Sequence, residues 1–237
     1  MERTVERDKL RARLEQIEAR IEAACKRAGR SREEVKIVAV TKYVDADAIG
    51  DLLSVGIEHI GENRAQDALP KMERYGAEGT WHFIGHLQTN KVKDVVGKFA
   101  YIHSLDRLSL AEAINKRAEA LDIVVPCFVQ INVSGEETKF GLRPNDVLAF
   151  FAETSNMKHI KVVGLMTMAP HAENPEETRA VFRELRQWRD RVRQLPYDNV
   201  DALELSMGMS GDFEVAIEEG ATYVRLGSVL VKPEEHE

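Results

Sequence analysis

Cysteine is almost missing from this chain, long apolar runs are missing altogether, and positive charge is in the minority. Cys25 and Cys127 are the two cysteines among 237 residues. They lie far apart, with no C-x-x-C spacing, which leaves a disulfide scaffold, a zinc ribbon and a thioredoxin-type motif without support. Two unpaired thiols suit a reducing cytoplasm. No stretch approaches the ~18 uninterrupted apolar residues of a membrane span. The N-terminal run MERTVERDKLRARLEQIEAR carries charge throughout and has no apolar h-region, so no signal peptide is expected. The formal net charge of −7 argues against a binder of nucleic-acid backbones, while leaving room for a local basic pocket. Neither G-x-x-x-x-G-K-[ST] nor a convincing G-x-G-x-x-G is present, so nucleotide-binding motifs do not compete.

What is present is an alternation. Hydrophobic residues make up 43% and charged residues 31% of the chain, enough for one large core. Leu10, Leu14, Ile17, Ile21 and Ala24 recur at spacings of four and three, which predicts an amphipathic helix within residues 1–30 that stops at Gly29. Short apolar runs then follow at 36–41, 58–61, 81–84, 100–103, 124–132, 161–165, 202–205 and 222–226, and these read as buried strands. Between them, 45–55, 63–75, 89–95, 107–120, 144–155, 175–192 and 210–219 read as helices, with 89–95 short and weak. Strict β-α alternation implies parallel strands. Eight units can close into a (β/α)8 TIM-type barrel with an additional N-terminal helix, and about 250 residues is the usual length of such a barrel. An open doubly wound sheet is the rival. No linker or internal repeat divides the chain, so 1–237 reads as one domain, with a loose charged tail at 232–237.

In such barrels the active face is the C-terminal end of the strands. Lys42 follows the first apolar run. A lysine at the mouth of a buried strand loses part of its hydration, which favours the neutral amine that attacks aldehydes. The bland alternative is a rim lysine reaching to solvent. The segment LSMGMSGD (205–212) follows the seventh strand and RLGS (225–228) ends the eighth. Glycines let backbone N–H groups approach a phosphate, and serine hydroxyls add donors. Loops after strands seven and eight are a frequent phosphate site in barrels. An amine for an aldehyde opposite a phosphate cup is what pyridoxal 5′-phosphate (PLP) requires.

Other polar groups carry weaker signals. His82 and His86 would lie about 13 Å apart on an extended strand, which is a poor metal clamp, and no metal is expected. His103 and Ser104 read as a satisfied polar pair at the barrel mouth. Lys139 lies in a solvated loop that can face the pocket. Met166, Met168, Met207 and Met209 read as pocket wall or core.

The strings KIVAVTK, GENRAQDALPK, WHFIGHLQTNK, IHSLDR, VQINVSGEETKFGL, GLMTMAP and LSMGMSGDFEVAIEEGATYVRLGS run in order from Lys36 to Ser228. Together they resemble the pyridoxal phosphate homeostasis proteins, single-domain relatives of the PLP barrel of alanine racemase. The resemblance implies a fold-type III PLP barrel in which Lys42 carries PLP as a Schiff base. It implies that Arg225 faces the pyridine nitrogen, that Ser206, Gly227 and Ser228 hold the phosphate, and that Asn63 lies near the ring. It implies a cytoplasmic, monomeric protein that buffers PLP or hands it to apo PLP-dependent enzymes, without a defined reaction of its own. Alanine racemase takes a second acid-base residue, a tyrosine, from a C-terminal domain of its partner subunit, and the chain to Glu237 is expected to lack that domain. One departure stands out: the family often ends in an apolar run to Phe-Gly, whereas here Val229-Leu230-Val231-Lys232-Pro233 follows, so an altered C-terminal closure is expected. A racemase-like PLP enzyme and a Schiff-base aldolase barrel without PLP are the competing functions.

Overall fold

The computed structural model describes residues 2–231. Eight strands pair in chain order and close: β1 (Lys36–Val40), β2 (His59–Glu62), β3 (Thr80–Phe83), β4 (Tyr101–Leu105), β5 (Val125–Gln130), β6 (Ile160–Met166), β7 (Val200–Ser206) and β8 (Tyr223–Leu226). Every pairing is parallel, because a helix or helical turn returns the chain to the starting end after each strand. The contact that separates a barrel from an open sheet is β1 against β8. It runs in register from Lys36↔Tyr223 to Ala39↔Leu226. All eight C-terminal ends therefore share one rim, which carries Lys42, Asn63 and the loops after β7 and β8.

Around the sheet lie α2 (Ala46–Ser54), α3 (Ala65–Tyr75), α4 (Val92–Val95), α5 (Leu108–Ala120), α6 (Val147–Thr154), α7 (Arg179–Val192), α8 (Phe213–Glu218) and α9 (Ser228–Val231). The first helix, α1 (Glu2–Arg27), presents Ile17, Ile21 and Ala24 as fully covered residues. It packs against α8 and α9. Arg20 pairs with Glu214 at 3.0 Å, Arg27 with Glu218 at 2.6 Å, and the Arg20 guanidinium lies 4.5 Å from the Phe213 ring centroid. Gly29 ends it at φ +66°, a left-handed conformation that suits glycine. Of the C-terminal departure seen in the sequence, residues 229–231 lie in α9, whose Leu230 is fully buried. The tail predicted for 232–237 lies outside the described residues.

Two apolar regions hold the barrel. The larger fills the space between sheet and helices, and each fully buried Leu, Ile or Phe there contributes roughly 1.5–3 kcal/mol. The smaller lies inside the barrel and consists of Val38, Phe128, Met166 and Tyr223, flanked by Tyr101 and Val163. The seventh strand is longer than the predicted 202–205. Pairing passes from Val162↔Val200 to Gly164↔Glu204, so β7 bulges, with Ala202 at φ 47°. Gly164 is required there, since a Cβ would lie 2.2 Å from the Glu204 carbonyl oxygen.

Candidate functional site

The site is built from the ends of β1, β2, β7 and β8. On β1 and β8, Val38 pairs with Arg225, and a Cβ on Gly227 would lie 3.5 Å from Val40 Cβ. Lys42 follows two residues after Val40. It is exposed, with Nζ 4.7 Å from the centroid of the neighbouring Tyr43 ring. The partial burial expected from its place after an apolar strand is therefore not found, because the chain turns outward at 42–44 as soon as β1 ends.

The backbone just before Lys42 is held firmly. Glu62 is fully buried, and its Oε1 accepts from Lys71 Nζ at 2.6 Å and from Thr41 Oγ1 at 2.5 Å. Lys71 Nζ also donates to the Thr41 carbonyl at 2.7 Å. A buried lysine thus ties α3 and the end of β2 to the residue preceding Lys42. Asn63 stands one residue past β2. Its Oδ1 is buried with no partner, an unmet acceptor at the barrel mouth.

Arg225 is 4% exposed on β8. Its Nη1 donates to Ser206 Oγ at 2.7 Å and its Nη2 to the Thr167 carbonyl at 3.0 Å. Among the described residues no carboxylate pairs with it directly. Burial pushes it down to about 10, opposed by the charge of Asp212, so it stays a cation at neutral pH. Asp212 is itself pushed above the usual carboxylate range, first by burial, while the Met209 N–H at 2.7 Å and the charge of Arg225 act against that. A buried cation served by a hydroxyl and a carbonyl keeps donor capacity for an acceptor brought by a ligand.

The loop after β7 turns at Gly208, φ +95°, where a Cβ would lie 2.6 Å from Ala216 Cβ. Its carbonyl accepts the Arg225 N–H at 2.9 Å, which binds loop to strand. This turn brings up Ser210, whose Oγ accepts from the N–H groups of Gly227 and Val229, both at 3.3 Å. Two amides of the turn after β8 thus converge on one oxygen, the arrangement a phosphate oxygen would use. Ser228 is exposed on the same turn.

Ser206, which the resemblance implied as a phosphate residue, has its hydroxyl engaged within the barrel. It is the last residue of β7, paired with Tyr223, fully buried, and its Oγ is taken up by Arg225 and by His103 Nδ1 at 2.8 Å. It supports Arg225 from inside the barrel. Ser210, four residues on, is the serine whose hydroxyl lies against the Gly227 N–H. The chain must leave β7 before a serine can face the turn after β8, which is why Ser210 and not Ser206 meets it.

The histidines also sort differently. His103 is not paired with Ser104; it lies inside the barrel, and the Ser104 hydroxyl is buried with no partner. His82 is fully buried, whereas His86 is exposed and stacks on Phe140 with centroids 3.8 Å apart. Among the described residues no group of three or more His, Cys, Asp or Glu is placed to hold a metal. Lys139 pairs with Glu136 at 3.3 Å. Met166 and Met207 are buried, whereas Met168 is 42% exposed. No helix among the described residues is long and apolar enough to cross a membrane.

Residues 12–234 match the family model of the alanine racemase N-terminal domain. The chain is 48% identical over 219 residues to the pyridoxal phosphate homeostasis protein of Aquifex aeolicus, covering 92% of this chain and 95% of that one. The solved structure of PipY from Synechococcus elongatus with PLP bound superposes with a TM-score of 0.82 at 31% identity, covering 93% of this chain and 99% of that one. Alanine racemase of Clostridium difficile shares the fold, with a TM-score of 0.72 at 15% identity over 97% of this chain and 58% of that one. The chain belongs to the pyridoxal phosphate homeostasis proteins, a family built on the barrel of the alanine racemase N-terminal domain.

Proposed function

We propose that this protein binds PLP at the barrel mouth and serves PLP homeostasis, holding the reactive aldehyde and releasing it to apo PLP-dependent enzymes in the cytoplasm, with no turnover of its own. The observation that carries the reading is Arg225: a buried guanidinium with no direct carboxylate partner among the described residues, under a rim that bears a lysine and two convergent turn amides. PLP fits that set. When bound it supplies an aldehyde, a ring nitrogen that accepts a hydrogen bond, and a phosphate.

Each residue has a part in this reading. Lys42 is the amine that anchors the aldehyde carbon. Its exposure leaves it accessible, and the Glu62–Lys71–Thr41 clamp fixes the strand end from which it springs. Arg225 donates to the ring nitrogen. A guanidinium keeps its proton, so the ring stays a weak electron sink, which favours storage over amino-acid chemistry. Gly227, Ser228 and Ser210 hold the phosphate through backbone N–H and hydroxyl groups. Asn63, with its unmet amide oxygen, borders the ring. Relatives named for PLP homeostasis, and PipY solved with PLP, support the cofactor assignment.

The test is direct. After addition of PLP and desalting, the wild-type protein should be yellow, and Lys42→Ala should be colourless. Borohydride reduction followed by peptide mass spectrometry should place a phosphopyridoxyl group on Lys42. A colourless wild type, or an adduct on another lysine, defeats the reading. Turnover of D- or L-amino acids well above that of free PLP would turn the protein into an enzyme of the racemase type.

A further inference from the structure

Behind Arg225 the barrel interior holds a continuous polar chain. Arg225 Nη1 lies 2.7 Å from Ser206 Oγ, Ser206 Oγ 2.8 Å from His103 Nδ1, His103 Nε2 2.8 Å from His82 Nδ1, and His82 Nε2 2.9 Å from His59 Nδ1. Five strands contribute, β2, β3, β4, β7 and β8, and the chain runs from beneath the mouth to the half-buried His59 at the start of β2.

The direction of every hydrogen follows from counting donors. Arginine only donates, so Ser206 Oγ accepts from Arg225. Ser206 is fully buried, and its own hydrogen has one acceptor among its recorded partners, His103 Nδ1. A neutral imidazole that accepts at Nδ1 carries its hydrogen on Nε2. His103 therefore donates to His82, and His82 in turn to His59. The opposite order would leave the Ser206 hydrogen buried and unmet, a penalty of an unpaired buried donor. An imidazolium in the chain is opposed by the same surroundings. Burial, then His59 and Lys36, push His82 down to about 3, and burial with the charges of His82 and Arg225 pushes His103 well below the usual range. His59 is lowered by burial and Lys36, with Glu58 opposing. The rings are also clamped by aromatic neighbours. Tyr101 stacks on His82 with centroids 4.8 Å apart, Phe128 stacks on His103 at 4.2 Å, and Tyr223 meets His59 and His103 edge-on.

We propose that Ser206, His103, His82 and His59 are positioning residues for Arg225, a one-way hydrogen-bond chain that holds its guanidinium for the ring nitrogen of a ligand at the mouth. The role rests on the reading that Arg225 faces the PLP ring; the chain itself does not. Each imidazole polarises the next donor, so Ser206 becomes a stronger acceptor for Arg225 than an isolated hydroxyl. Arg225 then keeps one orientation although, among the described residues, no carboxylate pairs with it directly.

The first measurement uses the ligand-free protein. Long-range ¹H–¹⁵N correlation spectra at neutral pH, with rings assigned by single His→Gln variants, should show His59, His82 and His103 all neutral with hydrogen on Nε2. A charged ring, or hydrogen on Nδ1 in any of the three, overturns the chain. In Ser206→Ala the fixed order loses its source, and the nitrogen shifts should move at His82 and His59 as well as at His103. Movement confined to His103 means the three rings are packing neighbours only. The second measurement adds PLP. Ser206→Ala should raise the Kd about tenfold, the equivalent of one net hydrogen bond, with Lys42 still labelled by borohydride. An unchanged Kd and absorbance maximum would remove the positioning role. Failure of the wild type to bind PLP would sink the cofactor reading and leave the spectral result standing.

Discussion

Among single residues, Glu62 has the largest ratio of consequence to visibility. It reads in the sequence as one more charge in GENRAQDALPK, yet it is fully buried and compensates a lysine whose side chain is 8% exposed. Removing one partner of a buried pair leaves the other uncompensated. Glu62→Gln should lower unfolding stability by about 3 kcal/mol in urea titration, and Lys71→Met by a similar amount because it leaves the buried Glu62 carboxylate without its cation. It should also loosen the Thr41–Lys42 turn and speed PLP loss. A Glu62→Gln protein as stable as wild type would show that the clamp is ornamental. Lys42 illustrates the opposite case. Its position at the end of an apolar run is legible from KIVAVTK, whereas its exposure is not, since that depends on which way the chain turns after the last strand residue.

Among the elements, the connection from β7 to α8 decides the most. Gly208 has a positive φ, a side chain there would strike Ala216 and Phe213, and its carbonyl holds the backbone of Arg225. Gly208→Ala combines backbone strain with overpacking, and should cost about 1–3 kcal/mol and weaken PLP retention together. Thermal unfolding beside a desalting assay checks both; a loss of stability with retention intact would separate the turn from the site. The glycine and serines of this loop are readable as a turn. Which serine meets the turn after β8 is not, because that depends on the residue at which the strand ends. The bulge in β7 at Ala202 is likewise invisible to alternation, which assumes regular pairing.

For the molecule as a whole, three neutral histidines inside one barrel make stability depend on pH. Unfolded histidines titrate near 6.5, while His59, His82 and His103 titrate lower when folded. Below pH 6.5 the unfolded chain binds more protons than the folded one. The stabilisation is complete above 6.5 and is lost as pH falls toward the folded values. Each fully buried histidine contributes a slope of about 1.4 kcal/mol per pH unit. Urea midpoints should therefore drop steadily from pH 7 to 5, and His82→Phe, which retains stacking on Tyr101, should flatten the profile. A profile level over that range would mean that the rings are protonated in the folded state. His59, His82 and His103 recur 23 and 21 residues apart, one β/α unit each. That period is written in the sequence, but it points to adjacent rings only once the strands are known to lie side by side in a closed cylinder.

The order of strands and helices, the amphipathic face of α1, and the kinship with PLP homeostasis proteins are determined by the sequence alone, because local periodicity and long ordered motifs survive without any knowledge of contacts. Closure of β8 on β1, the descent of Ser206 into the interior, the choice of Ser210 at the turn after β8, and the joining of three histidines to Arg225 are decided by tertiary structure. Those facts depend on which side chains share the inside of the barrel, and strand register with shear sets that across residues distant in the chain.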